Sequence, residues 1–312
     1  MEGNTDIRTK ELFLEREFNI DNIKRLFKNR LCNTLNLHKV SCPLLLERGN
    51  GLNDDLNGVE RKVSTDLKNG NCDTVEVLNS AAKWKRVALL KYGFDDLEGL
   101  VTEMVAIRPD DDIDELHSVV VRQFDWELII NQADYNKDFL MHVVKKIFDI
   151  VNTVYRFINQ TIFVDEIKFV TTDELKELYP DVESNDEREH LYVKEHRAVF
   201  LMQIAHPYRA CDYDNWELNG DILLWHEPIQ KVLELSSMGI RVDANTLTHQ
   251  MEIAGHQDRA SHMFHSMVLE NKLPLTIGGG IGIQRLCMFV LGLTHINQTE
   301  CGFSGDSLLK FV

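Results

Sequence analysis

The stretch Leu275-Thr276-Ile277-Gly278-Gly279-Gly280-Ile281-Gly282-Ile283-Gln284-Arg285 decides how the chain is read. An apolar approach from Pro274 runs into closely spaced glycines, after which Leu286, Phe289, Val290 and Leu293 recur at helical spacing. This pattern predicts a strand, a glycine turn and a helix. Glycines remove every side chain that would keep a flat ligand off the main chain, and a new helix offers unpaired N–H groups to an anion. Arg285, one turn into that helix, adds a planar cation suited to a purine face or a phosphate. A tight turn packed under other elements explains the same glycines equally well. The spacing fits neither the dinucleotide nor the P-loop pattern, so partners elsewhere must decide.

Composition narrows the setting. With 312 residues and 44% hydrophobic side chains, the chain can bury one large core or two modest ones. A formal net charge of -16, from 50 acidic and 34 basic residues, argues against a broad nucleic-acid footprint. Cys32, Cys42, Cys72, Cys211, Cys287 and Cys301 show no C-x-x-C spacing, which points to reduced thiols and a cytoplasmic protein. The polar start M-E-G-N-T-D and the lack of a long apolar run predict no signal and no membrane segment. No composition break or repeat appears, so residues 1–312 read as a single domain.

Several segments carry patterns of their own. Ile20, Ile23, Leu26, Phe27 and Leu31 share a helical face, followed by a turn into a strand that ends at Pro43. Gly49 to Gly58 reads as an acidic surface loop. Strands are expected over Val59 to Thr65 and Thr74 to Leu78, then a short helix capped by Ser80. Leu100 to Ile107 and Ser118 to Glu127 form a long antiparallel hairpin around Arg108-Pro109. Alternation on its return strand puts Val119, Val121, Gln123, Asp125 and Glu127 on one face, which turns polar as if entering a cleft. A strand end emerging into solvent accounts for that face too. Asp138 to Gln160 is the longest expected helix, and its broad apolar stripe implies core packing. Later strands cover Glu166 to Val170 and Ala198 to Ile204, with helices from Thr172 to Pro180 and from Asn185 to His196 between them.

Asp212 to Arg241 reads as a further hairpin, with Val232, Glu234, Ser236 and Met238 on one face of its second strand. A carboxylate in such a strand is costly to bury unpaired. Asp221 on the partner strand would meet Glu234, and two close carboxylates need a cation between them. Either magnesium, which takes oxygen ligands, or an ion pair of Glu234 with Arg241 meets that need.

Taken together, these motifs resemble class II aminoacyl-tRNA synthetase catalytic domains and, within them, the ammonia-dependent asparagine synthetase A family. The helix and strand ending at Pro43 are similar to the first synthetase motif, Arg108 to the arginine of the second, and G-G-G-x-G-x-x-R ending in Arg285 to the third. E-L-S-S-M-G-I-R (Glu234 to Arg241) is similar to E-L-G-G-G-S-I-R of aspartyl-tRNA synthetases. S-x-A-K-W-K-R from Ser80, A-x-R-P-D from Ala106, L-H-S-V from Leu116, D-Y-D-x-W from Asp212 and L-N-G-D-I-L from Leu218 look like the asparagine synthetase family itself.

The resemblance implies an α+β fold, an antiparallel sheet flanked by helices, and a homodimer joined through the first motif. It implies ATP-dependent conversion of L-aspartate and ammonia to L-asparagine through a β-aspartyl-adenylate, with AMP and pyrophosphate released. By family position, Arg108 neutralises the α-phosphate and Gln123 orients the reacting carboxylate. Arg285 with Gly278, Gly279 and Gly280 holds the nucleotide, and Asp221 and Glu234 carry magnesium. Ser80, Lys85, Asp125 and Ser237 recognise aspartate, and Asp54 binds ammonium and helps to remove its proton. Asp55 replaces the usual asparagine beside Asp54, Asn79 replaces a histidine before Ser80, and Arg122 and Phe124 replace an acid and an indole. The segment before Asp212 is shorter than in bacterial members. An aspartyl-tRNA synthetase-like paralogue and a silent regulatory paralogue are the rival readings. The first would want an anticodon-binding domain and a basic surface, and the second has no need of Arg108, Glu234 and Arg285 together. Glutamine is disfavoured as nitrogen donor because Glu2 stands where an amidotransferase cysteine would be.

Overall fold

The computed structural model describes residues 3–54, 60–68 and 74–300, with side chains from Lys10 onward. The chain opens with helix α1 (Gly3–Leu35), strands β1 (Leu37–Lys39), β2 (Leu45–Glu47), β3 (Ser64–Asp66) and β4 (Thr74–Val77), and helix α2 (Ala82–Tyr92). The hairpin β5 (Gly99–Ile107) and β6 (Val120–Ile129) leads to α3 (Lys137–Asn159), β7 (Lys168–Thr171), α4 (Thr172–Leu178), α5 (Asn185–His196) and β8 (Ala198–Met202). A second hairpin, β9 (Asp214–His226) and β10 (Lys231–Arg241), is followed by α6 (Ala244–Ala254), α7 (Met263–Leu269), β11 (Thr276–Gly282) and α8 (Ile283–Leu291).

Eight strands form one sheet in the order β1-β5-β6-β11-β10-β9-β8-β7. Only the edge pairs, β1 with β5 and β7 with β8, are parallel. The expected α+β fold with an antiparallel sheet between helices is therefore present. One sheet face is dry: Phe124, Trp126, Ile222, Leu224, Met238 and Ile281 pack there against Phe27 of α1, Val144 and Ile147 of α3 and Leu286 of α8. Phe27 stacks on Phe124 with ring centroids 5.9 Å apart. At roughly 25 cal/mol per Å² of buried apolar surface, this continuous layer dominates stability. Helix α2 covers part of the other face, where its buried Arg86 donates to the Pro274 carbonyl at 2.9 Å and the Val242 carbonyl at 2.7 Å. The rest of that face is left open beside α2.

Five local expectations are corrected. The glycines of 278–282 are not a turn: they lie inside β11, paired with β6 and β10, and α8 starts directly after Gly282. Periodicity is silent where side chains are missing, and the neighbouring strands supply the ladder. The longest helix is α1, with 33 residues against 23 in α3, because its polar first half continues helical beyond the apolar stripe. Ser80 is not the cap of α2: the cap is Ala81, and Ser80 Oγ accepts from the Ala82 amide at 3.2 Å. Finally, β10 does not alternate throughout. Glu234 pairs with Leu223 but Ser236 pairs with Ile222, so Leu235 is an inserted bulge residue and the faces exchange beyond it. Met238 consequently lies in the dry core while Ser237, opposite Asp221, faces the open side. The strand expected from Val59 begins at Ser64, with Val59 and Asp55 outside the described residues.

Candidate active site

The open face carries a cavity of about 650 Å³ whose wall includes Arg108, Glu234 and Gly280, contributed by three separate parts of the chain. Ser80, Lys85, Gln123, Asp125, Asp221, Ser237, Gly279 and Arg285 lie in the same wall. Alternation along β6 places Gln123 and Asp125 there, so its polar face enters a cleft instead of solvent. Two residues singled out in the sequence are not in that wall, Gly278 and Asp54. Gly278 is needed behind it: a Cβ there would fall 2.0 Å from Glu127 Oε2 and 2.6 Å from Arg241 Nη2. Gly280 leaves room for Gln123, whose Oε1 lies 2.5 Å from where a Cβ would be.

A buried polar network sets the floor. Lys85 donates to Asp125 Oδ1 at 2.8 Å and to the Gly279 carbonyl at 3.0 Å, and lies 3.8 Å from Glu127. Arg241 donates to both Glu127 oxygens, at 2.9 and 2.8 Å, and also to Asp214, while Thr276 donates to Glu127 at 2.7 Å. Burial alone would push the Glu127 carboxyl up, yet Arg241, Lys85 and these hydrogen bonds hold it below its ordinary value. Arg241 therefore pairs with Glu127 and Asp214, and the ion pair weighed for Glu234 is made with Arg285 instead, at 3.9 Å. Arg285 also donates to the Glu234 carbonyl at 2.8 Å and the Leu116 carbonyl at 3.3 Å.

Among the Lys and Arg side chains of the wall, Lys85, Arg122, Arg209, Arg241 and Arg285 each have a carboxylate partner. Arg108 differs. Its Nη2 reaches the Asn79 carbonyl at 3.4 Å, and its Nε is buried with no hydrogen-bond partner among the described residues. A guanidinium left without an anion beside a cavity is a receptor for one.

Asp221, Leu223 and Trp225 alternate onto one face of β9, and Glu234 and Val232 stand opposite Leu223 and Trp225. The two carboxylates share the cavity wall but do not stand opposite one another as expected: the bulge pairs Asp221 with Ser237 and Glu234 with Leu223. The Asp221 carboxyl is raised to about 6 by burial first, with Arg209 pulling it down and Glu234 adding to the rise. Glu189 contributes a third carboxylate from α5, which packs on that face through Val193 in a cluster with Leu223 and Trp225. Its carboxyl is pushed up to about 7 by burial, then by Asp221. Among the described residues no three His, Cys, Asp or Glu groups are arranged to hold a metal ion by themselves. An oxygen-only pair open to a cavity nevertheless fits magnesium, which commonly uses one or two carboxylates and completes its shell with water and phosphate oxygens.

Asp54 sits outside the wall because it is wholly buried beneath it. Lys83 lies 3.6 Å from Asp54 and 3.5 Å from Asp212, which also accepts from His265 Nε2 at 2.6 Å and Arg259 at 2.7 Å. Burial opposes ionisation of Asp212, but Lys83, His265 and Arg259 outweigh it and hold the carboxyl well below the usual range. Tyr213, which is in the cavity wall, contacts Asp54 from the other side. Sequence reading missed Arg209 and Glu189, and gave no role to Lys83 of the S-x-A-K-W-K-R stretch. None lies in a motif with a periodic signature, and only strand register and helix packing bring them to the site. Cys32, Cys42, Cys211 and Cys287 are free thiols, as expected, and burial pushes Cys42, Cys211 and Cys287 up to about 12.

Comparison with known proteins gives the family. The model of the family described as Aspartate-ammonia ligase matches residues 14–311. The chain belongs to the aspartate–ammonia ligase family. It is 45% identical over 307 residues to the Aspartate--ammonia ligase of Clostridium tetani, covering 94% of this chain and 89% of that protein. Identity to the ligase of Ligilactobacillus salivarius is 44%, over 92% of this chain and 90% of that one. An aspartate–ammonia ligase makes asparagine from aspartate and ammonia, so the rival of a tRNA synthetase paralogue is not favoured. Solved structures share the fold. The chain is similar to the Entamoeba histolytica asparaginyl-tRNA synthetase (TM-score 0.70, 14% identity, 96% of this chain and 69% of that one). It is also similar to the Pyrococcus horikoshii asparaginyl-tRNA synthetase complexed with asparaginyl-adenylate (TM-score 0.68, 15% identity, 92% and 68%). The ligase thus has a class II synthetase-like catalytic fold. Among its described residues no helix is long and apolar enough to cross a membrane.

Proposed function

We infer that this ligase makes asparagine in two transfers within the one cavity, as a single catalytic domain acting in the cytoplasm. Oxide is a hopeless leaving group from the side-chain carboxylate of aspartate. Transfer of AMP from ATP turns that carboxylate into a mixed anhydride and releases pyrophosphate. Ammonia then attacks the acyl carbon and AMP leaves. Negative charge grows on the α-phosphate in the first step and remains on it as AMP departs, so a fixed cation serves both.

The observation that carries this reading is the Arg108 guanidinium, which borders the cavity without an anion partner among the described residues. Gln123, on β6 in the same cavity wall, orients the reacting carboxylate. Gly279, Gly280 and Arg285 form the surface for the nucleotide, and Gly278 supports it by making room for Glu127 and Arg241. Ser80, Lys85, Asp125 and Ser237 receive the amino acid. Asp221 and Glu234 would hold magnesium, which supplies charge neutralisation on the phosphates when bound. Asp54, behind Tyr213, takes up the proton that the incoming nitrogen must lose as it bonds to carbon. No covalent enzyme nucleophile is required. The assembly is a homodimer through α1 and the chain leading to Pro43.

The test is an assay of the purified protein with aspartate, ATP and magnesium, supplied with either ammonium or glutamine. AMP and asparagine are expected in equal amounts with ammonium alone. ADP as the nucleotide product, or equal turnover with glutamine, would overturn the scheme.

A further inference from the structure

Arg209 lies in the segment between β8 and β9, and its side chain, 11% exposed, forms part of the cavity wall. Its Nη2 donates to Asp221 Oδ1 at 2.6 Å and its Nη1 donates to the Ser237 hydroxyl. Asp214 approaches to 4.0 Å, and Nε is buried with no hydrogen-bond partner among the described residues. Asp221 and Ser237 are opposite one another across β9 and β10. One guanidinium therefore spans one rung of the sheet, and on the reading above that rung carries a magnesium ligand and an aspartate contact.

We propose that Arg209 is a positioning residue that couples the two substrates, held on Asp221 and Ser237 before the nucleotide binds and released towards a carboxylate of aspartate afterwards. This rests on Asp221 being the ligand of the divalent ion. A guanidinium and a divalent ion repel each other and compete for the same carboxylate oxygen, so metal and nucleotide at Asp221 displace Arg209. The displaced cation remains at least partly buried, and a buried cation without an anion is costly. Among the described residues, Asp214 is already committed to Arg241, and Asp125 and Glu127 to Lys85 and Arg241. The substrate carboxylate is an anion that enters the same cavity at Ser237, and the vacant Nε gives the fork a further donor. Freed Ser237 becomes available at the same moment. Coupling of this kind is reciprocal, so each substrate tightens the other, typically by about 5- to 150-fold.

Aspartate binding is measured by calorimetry on the full chain, alone, with magnesium and an ATP analogue carrying a methylene bridge between the α- and β-phosphates, and with that analogue plus EDTA. In wild type, affinity should rise about tenfold or more with magnesium and analogue, and the rise should vanish with EDTA. In Arg209→Gln the rise should vanish under all conditions while the magnesium–analogue complex still binds. Arg209→Lys, which keeps the charge but not the fork, should retain only part of it. Equal wild-type affinity in all three conditions, or a full rise in a folded Arg209→Gln, would overturn the coupling. The wild-type comparison decides even if the variant does not fold. If wild type binds no magnesium–analogue complex at all, the proposed function itself fails, which is a separate result.

Discussion

Gly278 and Glu127 are directly paired across β11 and β6, and the hydrogen of the first marks the space that the carboxylate of the second occupies. Any larger side chain displaces Glu127 from Arg241 and Lys85. Gly278→Ala should therefore destabilise the protein by about 3 kcal/mol or more, through overpacking and through a buried ion pair pulled apart. Urea unfolding measures it. A midpoint within error of wild type would show that the network relaxes freely.

Arg108 has no anion among the described residues, so its removal takes little from the fold. Arg108→Ala should melt near the wild-type temperature while aspartate-dependent exchange of pyrophosphate into ATP falls by roughly 10²- to 10³-fold, the scale of a lost transition-state donor. Wild-type exchange in that variant would remove Arg108 from the first transfer.

Glu189 has no ion-pair partner among the described residues, and burial raises its carboxyl to about 7. Between the ordinary glutamate value and about 7 the folded chain holds a proton that the unfolded chain has released, so stability falls as pH rises through that window. Glu189→Gln should match wild type below about pH 4.5 and exceed it above about pH 7, by on the order of 2 kcal/mol after allowance for partial exposure. Metal-free melts across pH measure the gap. An equal gap at both ends would sink the assignment.

Asp212 behaves in the opposite sense. Its carboxyl is depressed, so its contribution is complete above the ordinary aspartate value of about 4 and is lost as pH falls below it. Asp212→Asn leaves Lys83 and Arg259 facing a neutral amide and should cost about 3–5 kcal/mol at pH 7. The deficit should shrink below about pH 4. A deficit independent of pH would mean that packing, not charge, is at stake.

Leu12, Leu14 and Phe18 on α1 are 59%, 52% and 67% exposed, and Leu44 and Leu45, just after Pro43, are 55% and 41% exposed. Apolar exposure of this kind marks a contact surface. Light scattering should return twice the chain mass, and Phe18→Glu should lower it. A monomer at working concentration would remove the dimer.

Much of this was legible before any coordinates. Repeating apolar spacing located α3, a highly charged helical run located α5, and two-residue alternation along β6 separated Phe124 and Trp126 from Gln123 and Asp125. Such patterns persist because each residue obeys its own strand or helix. What escaped depends on two segments at once. The strand conformation of Gly278–Gly282 comes from β6 and β10, the burial of Asp54 from Lys83 and the layer over it, and the place of Arg209 from a rung shared by Asp221 and Ser237. No local repeat records those relations.

Leu235, the extra residue in β10, has an effect out of proportion to its size. Upstream of it the strand shows one parity to water, and downstream the other. A deletion there would not shorten the protein so much as turn part of it inside out, wetting Met238 and burying Ser237 in hydrocarbon. Length variation among relatives should therefore be absent from this strand, however freely the surface loops drift.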